Sequence, residues 1–152
     1  MPSEQQDQQR RAKWLGILAR ARRADIEAVW PEHAAPISFE WLRKPQPGLV
    51  MVRGRAGGTG NAFNLGEMTV TRCALRLGDG TVGQGYVQGR DRKHAELAAR
   101  LDALLQSGRD ELLAEVIEPL REKEEERRRE RSRKAASTKV EFFTMVRGAD
   151  PK

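Results

Sequence analysis

Residues 49–77, LVMVRGRAGGTGNAFNLGEMTVTRCALRL, constrain the fold of this chain most, because two strand-forming runs bracket a glycine-rich loop there. Leu49 to Val52 is apolar and half β-branched, and Met68 to Leu77 is rich in Thr, Val and Leu with its alternation broken at Arg72. Both runs are expected in one sheet. Between them Gly57, Gly58 and Gly60 permit positive φ and leave backbone N–H groups uncovered, while Arg53 and Arg55 add fixed positive charge. The combination suits an anion, and it also suits an ordinary flexible turn. It is neither of the common nucleotide loops: Gly60 is followed by Asn61 and Ala62, not Lys and a hydroxyl residue, and Phe63 stands where a dinucleotide fingerprint needs Gly or Ala. Asn64 and Glu67 lie just beyond, placed either to join such a site or to satisfy backbone groups in the turn.

The segments on either side supply the rest of an α+β domain. From Gln5 to about Ala21, Trp14, Leu15, Ile17, Leu18 and Ala21 form one broad face, with Arg10, Arg11, Lys13 and Arg20 outside it, which predicts an amphipathic docking helix. Asp25 is positioned to cap a short second helix, Ile26 to Trp30, that Pro31 ends within a turn carrying His33. Ile37, Phe39 and Trp41 alternate with Ser38, Glu40 and Leu42, predicting a first strand closed by a Pro45–Pro47 linker, with the second strand starting at Leu49. The sequence Leu77-Gly78-Asp79-Gly80-Thr81 signals a hairpin, so the third and fourth strands should be antiparallel neighbours. Gly83, Gly85 and Gly89 interrupt the fourth strand, which implies that a backbone, a packed helix or a ligand approaches that face closely.

At Asp91 the period changes. Asp91 caps a helix in which His94, Leu97, Ala98, Leu101, Leu104 and Leu105 recur at helical spacing until Gly108 stops it, and this helix should cover the sheet. His94, close to Arg90 and Lys93, either meets a phosphate at the helix start or fills the junction between sheet and helix. Arg109 to Glu118 continues as helix, and Pro119 either kinks it or opens a new one. From Arg121 to Lys134 every residue but Ser132 is charged, the pattern of a solvated helix. Lys139 to Arg147, KVEFFTMVR, then returns to strand character, and its Val140, Phe142, Phe143 and Met145 need a sheet edge, the chain's own or another subunit's. The charged helix, at roughly 1.5 Å per residue, would carry this tail some 20 Å from the sheet. The expected architecture is thus an antiparallel sheet of about four to five strands with N-terminal helices, a covering helix, a long charged C-terminal helix and an apolar C-terminal strand. It divides into an α+β core (1–108), a charged helical arm (109–138) and a pairing strand (139–152). An isolated chain is expected to pair with itself through that strand.

Composition narrows the chemistry. At 152 residues the chain holds one core, and 28 Lys plus Arg against 22 Asp plus Glu, net +6 with pI ≈ 10.0, favour an anionic partner. Cys73 is the sole cysteine, so there is no disulfide framework and no thiolate cluster for a metal, which points to the cytoplasm. No run approaches the roughly 20 apolar residues of a membrane span. Two scattered histidines and one strand cysteine give no catalytic constellation and no metal site.

Three stretches together resemble the PhnG family of the bacterial carbon–phosphorus lyase system: GLVMVRGRAGGTGNAFNLGEMTVTRC from Gly48, GRDRKHAELAARLDALL from Gly89 and KVEFFTMVRG from Lys139. The resemblance implies a subunit of a cytoplasmic core complex with PhnH, PhnI and PhnJ. With PhnH, PhnI and PhnL it would take part in replacing the adenine of ATP by a phosphonate, yielding ribose 1-phosphonate 5-triphosphate. The nucleosidase chemistry is assigned to PhnI and the later radical cleavage to PhnJ, so no catalytic residue and no cofactor of its own is implied for this chain; ATP is the substrate of the complex. On this view Arg53, Arg55, Gly57, Gly58, Gly60, Asn64 and Glu67, with Arg90 and His94, line the phosphate path or buttress PhnI. A basic nucleic-acid-binding module is the alternative, disfavoured by an aromatic content of 5% with no stacking platform. A free-standing phosphotransferase or hydrolase is a second alternative, and it would turn over substrate as the purified chain alone.

Overall fold

A computed structural model describes residues 2–32 and 37–148, excepting the side chains of residue 56 and residues 140–148, so the turn expected around His33 lies outside the described residues. Helix α1 (Glu4–Arg20) begins in a capping box: the Ser3 hydroxyl accepts from Gln6 N–H and the Gln6 side chain accepts from Ser3 N–H. It buries Trp14, Ile17 and Leu18. Helix α2 (Arg23–Ala28) starts earlier than expected, and Asp25 does not cap it; Arg22 holds the cap position without a side-chain bond. Asp25 lies inside the first turn and is held by Lys123 Nζ at 3.1 Å and Arg127 Nη1 at 2.9 Å. A tertiary ion pair has taken the carboxylate that local capping would have used.

The sheet has three antiparallel strands in the order β1-β2-β3, not four or five. Strand β1 (Phe39–Arg55) runs straight through Pro45 and Pro47, where the sequence predicts a linker between two strands. It lies at the sheet edge, where a residue without an N–H forfeits no ladder bond, and register shifts between Trp41 and Arg43 and between Arg43 and Gln46 absorb the irregularity. Strand β2 (Ala62–Leu77) likewise starts earlier, taking in Asn64 and Glu67. The expected hairpin joins it to β3 (Val82–Gln88): Leu77 N–H donates to Thr81 C=O at 2.9 Å, and Gly80 adopts φ +91° in the turn.

Helix α3 (Arg92–Gln106) covers β3 and β2 and explains the glycines in β3. A Cβ on Gly83 would stand 2.1 Å from the Ala99 carbonyl oxygen, and one on Gly85 2.1 Å from that of Ala95. The close neighbour is the backbone of the covering helix, whose alanines 95, 99 and 103 recur every fourth residue along the contact. After α3 a π-helical segment (Leu113–Ile117) leads into α4 (Glu118–Gly148). The widened turn falls just before Pro119, whose ring and missing N–H disrupt a regular i→i−4 ladder. Leu112, Val116, Ile117 and Leu120 join Leu18, Ile26, Leu75, Val87 and Leu101 in one core.

The tail overturns the strand expectation. Residues 139–148 continue α4, so Val140, Phe142, Phe143 and Met145 lie on a helical backbone. Propagating a formed helix adds one hydrogen bond per residue, whereas a strand needs an edge to pair with. The three-stranded part of the sheet offers little edge. On β3, Gln84 N–H donates to Asp102 Oδ2 at 2.9 Å and Gln106 Nε2 donates to the Val82 carbonyl at 2.8 Å, so helix side chains occupy outward backbone groups. On β1 the prolines interrupt the opposite edge.

Candidate functional site

Strand β3 pairs only with Val70–Arg76 of β2, but β1 and β2 pair on to Arg55 and Ala62. Beyond Thr69 they therefore project as a two-stranded ribbon, closed by a 3₁₀ turn at Ala56–Gly58 where Gly57 and Gly58 adopt φ +61° and +76°. Nothing lies within 4 Å of a Cβ built on either glycine, so their requirement is conformational. Alternation places Leu49, Met51, Thr69 and Glu67 on the side of the sheet that α3 covers further along. Leu49 and Met51 are 64% and 55% exposed. Leu65 folds across Gly54, where a Cβ would stand 2.8 Å from its Cδ1.

Of the residues predicted from sequence, Arg53, Arg55, Asn64, Glu67 and the three glycines come together on this ribbon. Arg53 faces Asn64, Arg55 faces Ala62 and Met51 faces Glu67 across the strands. Arg90 and His94 do not join them. Gly89 N–H bonds to the Thr69 carbonyl at the ribbon's base, and the seven residue-to-residue steps from Thr69 to Ala62 span about 23 Å of strand. His94 Nε2 lies 2.8 Å from the Leu18 carbonyl, which can only accept, so the ring donates there and joins α1 to α3. The start of α3 already holds an anion: Asp91 Oδ1 accepts from His94 N–H at 3.1 Å and from Arg23 Nη1 at 3.2 Å.

Beside this junction the α1–α2 corner, the end of β3 and the first half of α4 enclose an open cleft of about 610 Å³. Its cations are Arg20, Arg22, Arg23, Arg127, Arg131 and Lys134; its carboxylates are Glu124 and Glu130. Sequence reasoning treated residues 121–134 as a uniformly solvated face and missed this cleft. The available signal was the spacing of Arg127, Arg131 and Lys134, which places them on one side of a helix.

Two buried polar features serve the fold. The fully buried Asp102 carboxylate accepts from Arg11 Nε and Nη2 at 3.1 and 2.9 Å, Trp14 Nε1 at 2.9 Å, Gln84 N–H at 2.9 Å and Gln106 Nε2 at 3.1 Å. Hydrogen bonding to Asp102 outweighs burial and raises the Arg11 pKa above its ordinary value. The Cys73 thiol, 3.2 Å from the Ala95 carbonyl, is pushed up to about 11, chiefly by burial. Among the described residues no group of three or more His, Cys, Asp or Glu side chains could hold a metal ion, and no helix is long and apolar enough to cross a membrane.

The family described as "Phosphonate metabolism protein PhnG" matches residues 9–148. A relative from Rhizobium meliloti (strain 1021), named alpha-D-ribose 1-methylphosphonate 5-triphosphate synthase subunit PhnG, is 40% identical over 141 residues, covering 92% of this chain and 90% of its own length. The matched segment takes in the ribbon, the covering helix and the cleft side of α4, so the features described above lie within the shared region. This chain belongs to the PhnG family of phosphonate-metabolism proteins.

Proposed function

We propose that this chain works in the cytoplasm as a non-catalytic subunit of an α-D-ribose 1-methylphosphonate 5-triphosphate synthase, the role named for its relative. It assembles with PhnH, PhnI and PhnJ, and with PhnL during the step that replaces the adenine of ATP by a phosphonate. The observation that supports this most is the ribbon, a continuation of the sheet whose core-side face is left uncovered at Leu49 and Met51. Two packed strands with no third layer are marginal in water, and a partner surface would supply the missing layer. Arg53, Arg55 and the glycine turn then lie at the far end of the contact, lining the triphosphate path or bracing PhnI. The end of α4, with Val140, Phe142, Phe143 and Met145, is a second attachment element, engaging its partner as a helix.

Reconstitution tests this. Adenine release from ATP and methylphosphonate by the assembled complex should disappear when this chain is omitted; release that is indifferent to its presence would refute the subunit role. Arg53→Ala with Arg55→Ala should leave assembly intact and reduce adenine release if the turn lies on the substrate path. A chain ending before Lys139 should lose partner binding, and full retention would refute the role of the α4 end.

A further inference from the structure

We infer that the basic cleft between the α1–α2 corner and α4 is a polyphosphate-binding site, taking the triphosphate of a nucleotide or of its ribosyl product. Six cations and two carboxylates line it, and with the neighbouring Asp25, Glu27 and Asp91 and the Lys123 that shares Asp25, seven cations stand against five carboxylates, a formal excess of two positive charges. Three cations are already engaged: Arg20 with Glu124, Arg23 with Asp91 and Glu27, and Arg127 with Asp25. Arg22, Arg131 and Lys134 make no ion pair with any described residue, and they reach the cleft from two different elements. Arginines and lysines held this way keep their hydrogen-bond donors for an outside anion. The engaged cations contribute too, because their partners fix their side chains in place. Glu124 is occupied by Arg20, and Glu130 makes no ion pair with any described residue.

The shape favours a compact polyanion over an extended one. Cations on a helix that meet nucleic acid form a stripe along it, whereas these converge from α1, the α1–α2 corner and α4 onto a volume within the 300–1,000 Å³ range roughly typical of small-ligand sites. One phosphate would leave most of the donors unused. The floor is fixed by His94 and Gly89, both tied to neighbouring backbone by hydrogen bonds. The site is separate from the ribbon, and only the choice of a triphosphate as its natural occupant rests on the subunit role.

The test is calorimetric titration of the full-length chain with inorganic tripolyphosphate and with ATP, using sulfate as the singly phosphate-sized control. Saturable 1:1 binding is expected for both polyphosphates and not for sulfate. Arg22→Ala, Arg131→Ala and Lys134→Ala, all at exposed positions, should each weaken it about 10-fold, while Lys44→Ala, an exposed cation on β1, leaves it unchanged. No saturation at millimolar tripolyphosphate, equal response to sulfate, or indifference to all three substitutions would overturn the proposal. Co-purification with the partner subunits, run on the same proteins, separates the two readings: failure to bind tripolyphosphate by a chain that still assembles refutes the cleft alone. Binding by a chain that does not assemble refutes the subunit role alone. Loss of assembly in the cleft variants, without tripolyphosphate binding by the parent chain, would assign the cleft to an acidic protein surface and overturn the proposal.

Discussion

Replacing Gly85 by Ala puts a methyl group where α3 already stands. Its Cβ would meet the Ala95 carbonyl oxygen at 2.1 Å, the Ala95 carbonyl carbon at 2.9 Å and Cys73 Sγ at 3.0 Å. Ordinary contact begins near 3.4 Å, so strand and helix must part by about 1.3 Å along that line. A backbone carbonyl cannot swing aside as a side-chain tip can. A gap of this order forfeits a quarter to a half of the dispersion energy of roughly every contact across the interface, and overpacking of this kind costs about 1–3 kcal/mol. Restricting the unfolded chain returns about 0.4–1 kcal/mol, for a net loss of about 1–2 kcal/mol. Urea unfolding followed through the buried Trp14 should show this as a lower midpoint at unchanged m-value, and heating as a fall in Tm of about 2–8 °C. Gly83→Ala should behave alike, its Cβ lying 2.1 Å from the Ala99 oxygen and 2.7 Å from Ala103 Cβ. The double variant should cost less than the sum, because one displacement of α3 relieves both sites. A Gly85→Ala protein within about 0.5 kcal/mol of the parent would refute the close approach, since substitutions without such a clash fall in that range.

Asp102→Ala removes the acceptor shared by Arg11, Trp14, Gln84 and Gln106, and should cost about 2–4 kcal/mol in the same urea experiment, because the Trp14 indole and Gln84 backbone N–H groups are left without an acceptor. Cys73, buried with its thiol near 11, should resist a thiol-specific disulfide reagent at pH 8 and react only as fast as the protein opens; immediate stoichiometric labelling would contradict its burial. At Asp25, burial pushes the carboxyl up, but Lys123 and Arg127 more than offset it and hold the pKa below the ordinary value. The stability this pairing adds is therefore present above the unfolded carboxylate range and is lost as pH falls through the lowered folded value. Amide protection in the first turns of α4, exchange measured relative to the intrinsic rate at each pH, should fall over that acidic interval, and Asp25→Asn should remove the share of that fall that comes from Asp25.

The helices were legible where apolar residues recur at helical spacing, as at Trp14, Ile17 and Leu18, and where a cap is local, as at Asp91. Asp25 looked like a cap because the cations that claim it lie about a hundred residues away. Strand lengths were not legible: Pro45 and Pro47 mark a break unless the strand is known to lie at an edge, which is a property of the whole sheet. The glycines of β3 announced a close neighbour without identifying it. At the site, the sequence grouped residues from both ends of the ribbon, because linear proximity to a glycine loop says nothing of the 23 Å or so that extended strands introduce. The basic cleft stayed hidden because its cations are split between the α1–α2 corner and α4. The tail read as a strand by composition, but the preceding helix and the obstructed sheet edges decide its conformation.

Those edges bear on how such a chain survives before its partners arrive. Subunits of one assembly are seldom made in perfect proportion, and a surplus copy must wait among others like itself. Exposed rows of backbone donors and acceptors would let waiting copies zip together into fibres. With Asp102 and Gln106 seated on one margin and two prolines on the other, copies find few rungs to extend on the three-stranded part, and the open backbone is concentrated on the ribbon, which also shows apolar side chains to the solvent. Asp102 and Gln106, which tie α3 to β3, thus also close that margin of the sheet to another copy, and the ribbon is the part that a partner must cover.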